Sequence, residues 1–278
     1  MTTASVTMAA PRTRAAYGVL TSAAALWWSM AILGQWVFLY YIATFYGGST
    51  LQGNFAAWTK NHMLLKGYVP GDTAGNLTFA AHALLAAVIA FGGAVQLIPW
   101  IRTHAIGIHR WNGRLFLATA LAVSVTGLYM IWVRHATTGG INAIGISLNG
   151  ALIILFAALA WRAVRARSID SHRRWALRTF MVANGQWFFR VGLFAWIIVN
   201  RGPVGIGKHF DGPFIVFWNF GCYLMPLAVL EVYLRAKDLA GPRAQYAVAG
   251  GLVVLTVLMG MGIFGAYMFI WRPILALI

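Results

Sequence analysis

At 278 residues, with 60% apolar and only 9% charged side chains, the chain lies far from a soluble domain, in which roughly a quarter of residues are charged. It reads as an all-α, polytopic membrane helix bundle. Its 21 lysines and arginines against 5 acids give a formal charge of +16, but these cations sit in short loops between apolar runs, which excludes a nucleic-acid surface and points to membrane topology. The single cysteine, Cys222, falls inside an apolar run and permits no intrachain disulfide.

Residues 1–14 form a small, polar, basic tail. Arg14 to Lys60 carries no charge between its ends, and Leu20 to Phe45 is long enough to cross ~30 Å of hydrocarbon. That run is too long for the core of a cleaved leader and reads as a retained first span. Residues 47–76 are the longest loop, with a Pro70-Gly71-Asp72 turn signal and room for a short interfacial helix. Span two is Leu77 to Trp100, with His82 and Gln96; span three is Leu115 to Val133; span four is Ile141 to Trp161. Span five is Ala176 to Val199. Span six, Phe214 to Leu234, contains Asn219, Cys222, Pro226 and Glu231, and span seven, Ala247 to Trp271, is rich in glycine at helix-packing spacing.

These seven spans make one membrane domain over 1–278, with a four-helix core at about 77–200. If the N-terminus is cytosolic, fourteen lysines and arginines share its side, six lie on the other and Arg190 lies within the membrane. The positive-inside rule then predicts a multi-pass protein of the bacterial cytoplasmic membrane with its C-terminus outside. No lysine lies in the last span, which excludes a retinal Schiff base. Of the five acids only Glu231 lies in a span, near its cytosolic end, which disfavours proton-coupled transport.

Two loci carry the candidate chemistry. Spans three and five both start at the cytosolic face, each introduced by a His-Arg pair, His109-Arg110 and His172-Arg173. Two imidazoles from neighbouring helices suit the axial positions of a b-type haem, with Arg110, Arg114, Arg173, Arg174 and Arg178 facing its propionates. The alternative is that these cations meet anionic lipid head groups, with Asp170 capping span five. The second locus is outer. Arg190 lies roughly 21 Å along span five at 1.5 Å per residue, Gln186 is one turn before it and Thr179 continues the same face, so span five carries a polar stripe. With His82 of span two this stripe predicts a cavity for an anionic or carbonyl ligand such as a quinone, or else an interhelical hydrogen-bond network. His62, His104, His135 and His209 read as solvated loop residues. Trp27-Trp28 and the aromatic run Phe38 to Tyr46 read as packing and lipid contact, and Gly139-Gly140 and Gly250-Gly251 lack the setting of a phosphate loop. Neither locus names an enzyme, and partners among other membrane proteins stay open.

The pattern of His82, Gln96 before Pro99 and Arg102, His109-Arg110-x-x-Gly113-Arg114, and His172-Arg173-x-Trp175-x-x-Arg178 with Arg190 downstream resembles a family of predicted bacterial membrane proteins, domain of unknown function number twenty-three-oh-six. The resemblance covers about residues 77–200 and implies a fold without an activity. A looser likeness is to two-haem transmembrane cytochromes b, in which a four-helix core pairs histidines from alternate helices. His109 and His172 look like one such pair. His82 has no histidine partner between Ile141 and Trp161, so that likeness implies one haem at most.

Overall fold

The structure, a computed structural model, describes residues 14–61, 66–137 and 140–277. The tail before Arg14, with Arg12, and also His62 and Gly139 lie outside the described residues. Helix α1 (Arg14–Ile42) runs through a π-helical turn (Ala43–Gly47) into α2 (Gly48–Leu51). A 3₁₀ segment (Phe55–Lys60) supplies the short helix expected in the long loop. Then follow α3 (Thr73–Leu97), α4 (Pro99–His104), α5 (Ile106–Trp132), α6 (Gly140–Arg165), α7 (Ile169–Ala183), α8 (Gly185–Val199) and α9 (Pro213–Leu239). Helix α10 (Pro242–Ala266) continues through a second π-helical turn (Tyr267–Trp271) into α11 (Arg272–Leu275). No strand occurs among the described residues.

Six helices are long and apolar enough to span a membrane, and α7 with α8, counted as one broken span, makes seven. Local chemistry sets the ends. Asp72 caps α3 by accepting from the Gly75 N–H at 2.9 Å, and Pro99, Pro213 and Pro242 open α4, α9 and α10, where a missing N–H costs nothing. Helices α5 and α7 begin earlier than the apolar runs do, so His109 and His172 each stand fourth in their helix.

The fifth span is broken. Helices α7 and α8 meet at a bend of 55°, because Asn184 turns its side-chain amide onto the Phe180 carbonyl at 2.8 Å, the acceptor its own backbone N–H uses at 3.3 Å. Gly185 follows, and the absence of a Cβ there lets Asn149 of α6 press against the break. The stripe is interrupted in consequence: Thr179 turns its hydroxyl to the Trp175 carbonyl at 2.8 Å, while Gln186 and Arg190 belong to α8.

Helices α1, α3, α5, α6 and α7–α8 follow one another round a ring, and α10 closes it by packing between α8 and α1. Helix α9 packs against α6, α7, α8 and α10. Ion pairs tie it there: Arg178 donates from Nε and Nη2 to the two Glu231 oxygens at 2.7 and 3.0 Å, and Arg174 pairs with Asp238. Both pairs lie at the end of the bundle that carries most of the arginines, called here the basic end. The opposite end is held by Arg134, whose guanidinium binds Asp72 at 2.9 Å, the Lys66 carbonyl at 2.7 Å and Asn76 Oδ1 at 2.7 Å.

Candidate functional site

A cavity of about 420 Å³ lies inside the ring, walled by α1, α3, α5, α6, α8 and α9. Asn61, Lys66, Thr137 and His209 stand at its mouth, away from the basic end, and Ile89, Ala90, Val123 and Ile153 form its apolar inner part. His82 is nine residues into α3 and Arg190 nine residues before the end of α8, so both sit roughly 14 Å below the helix ends on the mouth side.

Arg190 is half-buried and lines the cavity. Among the described residues it donates one hydrogen bond, from Nη1 to the Gln186 carbonyl at 2.7 Å, and lays its guanidinium over Phe38 at 5.5 Å. A guanidinium stays charged and has five donors. No acid lines the cavity. Three of the five acids are paired with Arg134, Arg174 and Arg178, and Asp170 and Asp211 are exposed.

His82 places Nδ1 at 3.1 Å from Thr126 Oγ1. The Thr126 hydroxyl is already turned to the Ala122 carbonyl at 2.8 Å, so it accepts from an Nδ1–H of His82, which leaves Nε2 with its lone pair. Four further wall residues hold buried polar atoms with no partner among the described residues: both amide atoms of Gln35, the indole N–H groups of Trp187 and Trp271, and Asn149 Oδ1. Gln35, Trp187 and Trp271 are 0%, 3% and 1% exposed. An unpaired buried polar group costs about 1–3 kcal/mol, so these four residues make the cavity wall more polar than an ordinary packed interior.

Near the mouth the π-helical turn after α1 directs Phe45 and Tyr46 inward, and Asn61 donates to the Tyr41 and Tyr46 hydroxyls at 3.1 and 2.8 Å. Phe38, Tyr41 and Tyr46, expected as packing and lipid contact, are wall residues. His209, expected as a solvated loop residue, is exposed and also borders the mouth.

The second predicted locus has a different character. His109 lies at the basic end within electrostatic reach of Arg102 and His172. His172 directs Nδ1 to the Ala160 carbonyl at 2.9 Å, and His109 Nδ1 is buried without a partner among the described residues. Much of the surrounding motif is architectural. Gln96 donates to the His109 carbonyl at 2.8 Å and Asn112 to the Gly92 carbonyl at 2.8 Å, which locks the start of α5 to the end of α3, and a Cβ at Gly113 would lie 2.8 Å from the Gln96 amide nitrogen. Arg174 and Arg178 are held by α9, with Arg178 also stacked on Trp175 at 4.6 Å. Arg110, Arg114 and Arg173 are exposed, Arg114 lying over Trp111 at 5.2 Å. Neither His109 nor His172 touches the cavity.

Sequence reasoning found Arg190, His82 and Gln186 at the cavity and missed Gln35, Asn149, Trp187 and Trp271. Gln35 was the most accessible of these, as an amide inside a long uncharged apolar run. A tryptophan in such a run carries no sign of whether its N–H has a partner.

The family described as predicted membrane protein (DUF2306) matches residues 79–234, more than half of the chain. That stretch runs from α3 into α9 and includes His82, Arg190 and both His-Arg motifs. No curated protein and no solved structure matches the chain.

Proposed function

The chain belongs to the DUF2306 family of predicted membrane proteins, and within that family we propose that it binds a small amphiphile, with an oxygen-bearing head, in the cavity beside Arg190. The observation that carries this is a half-buried guanidinium in the cavity wall with one hydrogen bond and no acid beside it in that wall among the described residues. A buried charge without a counterion is expensive, and a bound head group that accepts from it offsets that cost. The volume falls in the range of small-molecule sites, about 300–1,000 Å³. Quinones and acidic lipids both belong to this ligand class. In this reading the protein sits in the bacterial cytoplasmic membrane with its basic end in the cytosol, where exposed arginines meet anionic head groups or a membrane protein partner. Titration of the purified protein in nanodiscs with decylubiquinone and with octanoate, followed by the fluorescence of Trp187 and Trp271, is expected to give saturable binding of at least one of them. Arg190→Ala should weaken that binding by about tenfold or more. A linear, unsaturable response to both probes refutes the proposal.

A second reading, a redox protein with a b-type haem between α5 and α7, is supported by the orientation of His172. Its Nδ1 is on a backbone carbonyl, which leaves Nε2 free for a metal. His109 and His172 would hold the iron, and Arg110, Arg114 and Arg173 remain open to the propionates. Haem bound there would supply one-electron chemistry. The reduced-minus-oxidised spectrum of protein expressed with ample haem should then carry b-type bands that His172→Ala removes. A featureless spectrum excludes this reading and leaves the cavity proposal untouched.

A further inference from the structure

We propose that the head group taken by the cavity is a carboxylate monoanion on a compact apolar body, seated between Arg190 and the N-terminal turn of α8. This rests on the amphiphile-binding reading and adds the charge and the place of the head.

The sign of charge is the first argument. Arg190 is a cation of the cavity wall, and among the described residues no carboxylate lines that wall. A neutral carbonyl would accept a hydrogen bond from Arg190 yet leave its charge uncompensated, whereas a carboxylate provides both the acceptor and the counterion. The second argument is the break in the span. Helix α8 starts at Gly185, inside the bundle rather than at its surface, so its first turn lies at cavity depth. Gln186 and Trp187 of that first turn line the cavity, and Arg190 follows one turn later. A helix N-terminus alone binds nothing specific. Here it is joined by two unpartnered donors that are more than nine-tenths buried, the Trp187 indole N–H and the Gln35 amide.

The third argument is the match between donors and acceptors. A carboxylate offers two oxygens with about four acceptor sites, and Arg190 has donors beyond the one it gives to Gln186, with the Trp187 and Gln35 side chains in the same cavity wall. The apolar inner wall at Ile89, Val123 and Ile153 suits a short hydrocarbon body.

The test uses the full chain in nanodiscs and an isosteric pair, octanoate and octanamide, measured by titration calorimetry near neutral pH. Octanoate is expected to bind about tenfold more tightly than octanamide. Arg190→Gln should bring the ratio close to one by weakening octanoate alone. Trp187→Phe, which removes only the N–H at nearly constant volume, should weaken octanoate by about threefold and keeps the test open if the Arg190 variant does not fold. Equal binding of the two probes overturns the inference, and so does a preference for octanoate that survives both substitutions. Saturable binding of decylubiquinone with none of octanoate also overturns it while the amphiphile reading stands. Failure of octanoate, octanamide and decylubiquinone alike overturns both.

Discussion

Arg134→Met is expected to lower the stability of the folded bundle by about 2 kcal/mol, in the range for leaving hydrogen-bond partners of a buried group unsatisfied. The Arg134 side chain is 4% exposed and joins the end of α5 to the segment that leads into α3. It donates to Asp72, to the Lys66 carbonyl and to Asn76 Oδ1, while Lys66 returns a bond to the Arg134 carbonyl at 2.8 Å. Methionine fills much of the volume and supplies none of the donors, so the acceptors are left in a place that water reaches poorly. Lysine at this position keeps the charge but cannot fork to three acceptors, and should recover less than half of the loss. Unfolding in a detergent–denaturant series measures both. The pair also has a pH signature. The Gly75 N–H first, and then Arg134, hold the Asp72 carboxyl below its ordinary value. A carboxyl depressed in the folded state contributes stability that is complete above its unfolded value, about 3.9, and is lost as pH falls through the folded value. Arg134→Met should therefore flatten the loss of stability below about pH 4. An acid limb identical to the parent's would show that Arg134 does not act on Asp72.

Gly262→Val is expected to be as damaging and to disturb the cavity as well. A Cβ at Gly262 of α10 would collide with the backbone carbonyl of Val191 in α8, and one at Gly265 would lie 2.9 Å from the Phe194 Cβ. A carbonyl cannot rotate aside as a side chain can, so the helices must separate at a cost of about 1–3 kcal/mol or more. Val191 follows Arg190 directly, so the separation shifts the guanidinium relative to Gln35 and Trp187. Weaker ligand binding and lower stability should appear together. Gly250→Ala serves as the contrast, because nothing lies within 4 Å of its added Cβ. That change should be neutral or stabilising by about 0.5–1 kcal/mol. Equal effects at the two positions would refute the close contact between α8 and α10.

Seven apolar runs were expected as span-forming segments, and the structure has six long helices and one broken pair in their places. The caps were legible as well. The Pro70-Gly71-Asp72 signal ends in the residue that caps α3, since a turn and an N-cap are chosen by the local chain. The break between α7 and α8 had its signal in Asn184-Gly185, an Asn-Gly pair inside an apolar run. It was passed over because hydropathy averages across a single turn. Glycine abundance in the last span pointed to packing without saying which glycines pack: Gly262 and Gly265 do, and Gly250 and Gly251 meet nothing within 4 Å.

By itself the sequence determined that this is an all-α membrane protein, that a turn at Asp72 opens α3, and that Arg190 is a cation far from either end of its span. These follow from hydropathy, caps and charge, which act over a few residues and leave a linear trace. Only the tertiary structure decided what surrounds Arg190. Of the five arginines grouped near the His-Arg motifs, Arg174 and Arg178 are neutralised by Asp238 and Glu231 of α9, whereas Arg190 has no carboxylate and shares a cavity with Gln35, Asn149, Trp187 and Trp271. Whether a buried polar group has a partner depends on residues brought together from other helices, so the site was written in the packing of the ring and not in any one stretch of the chain.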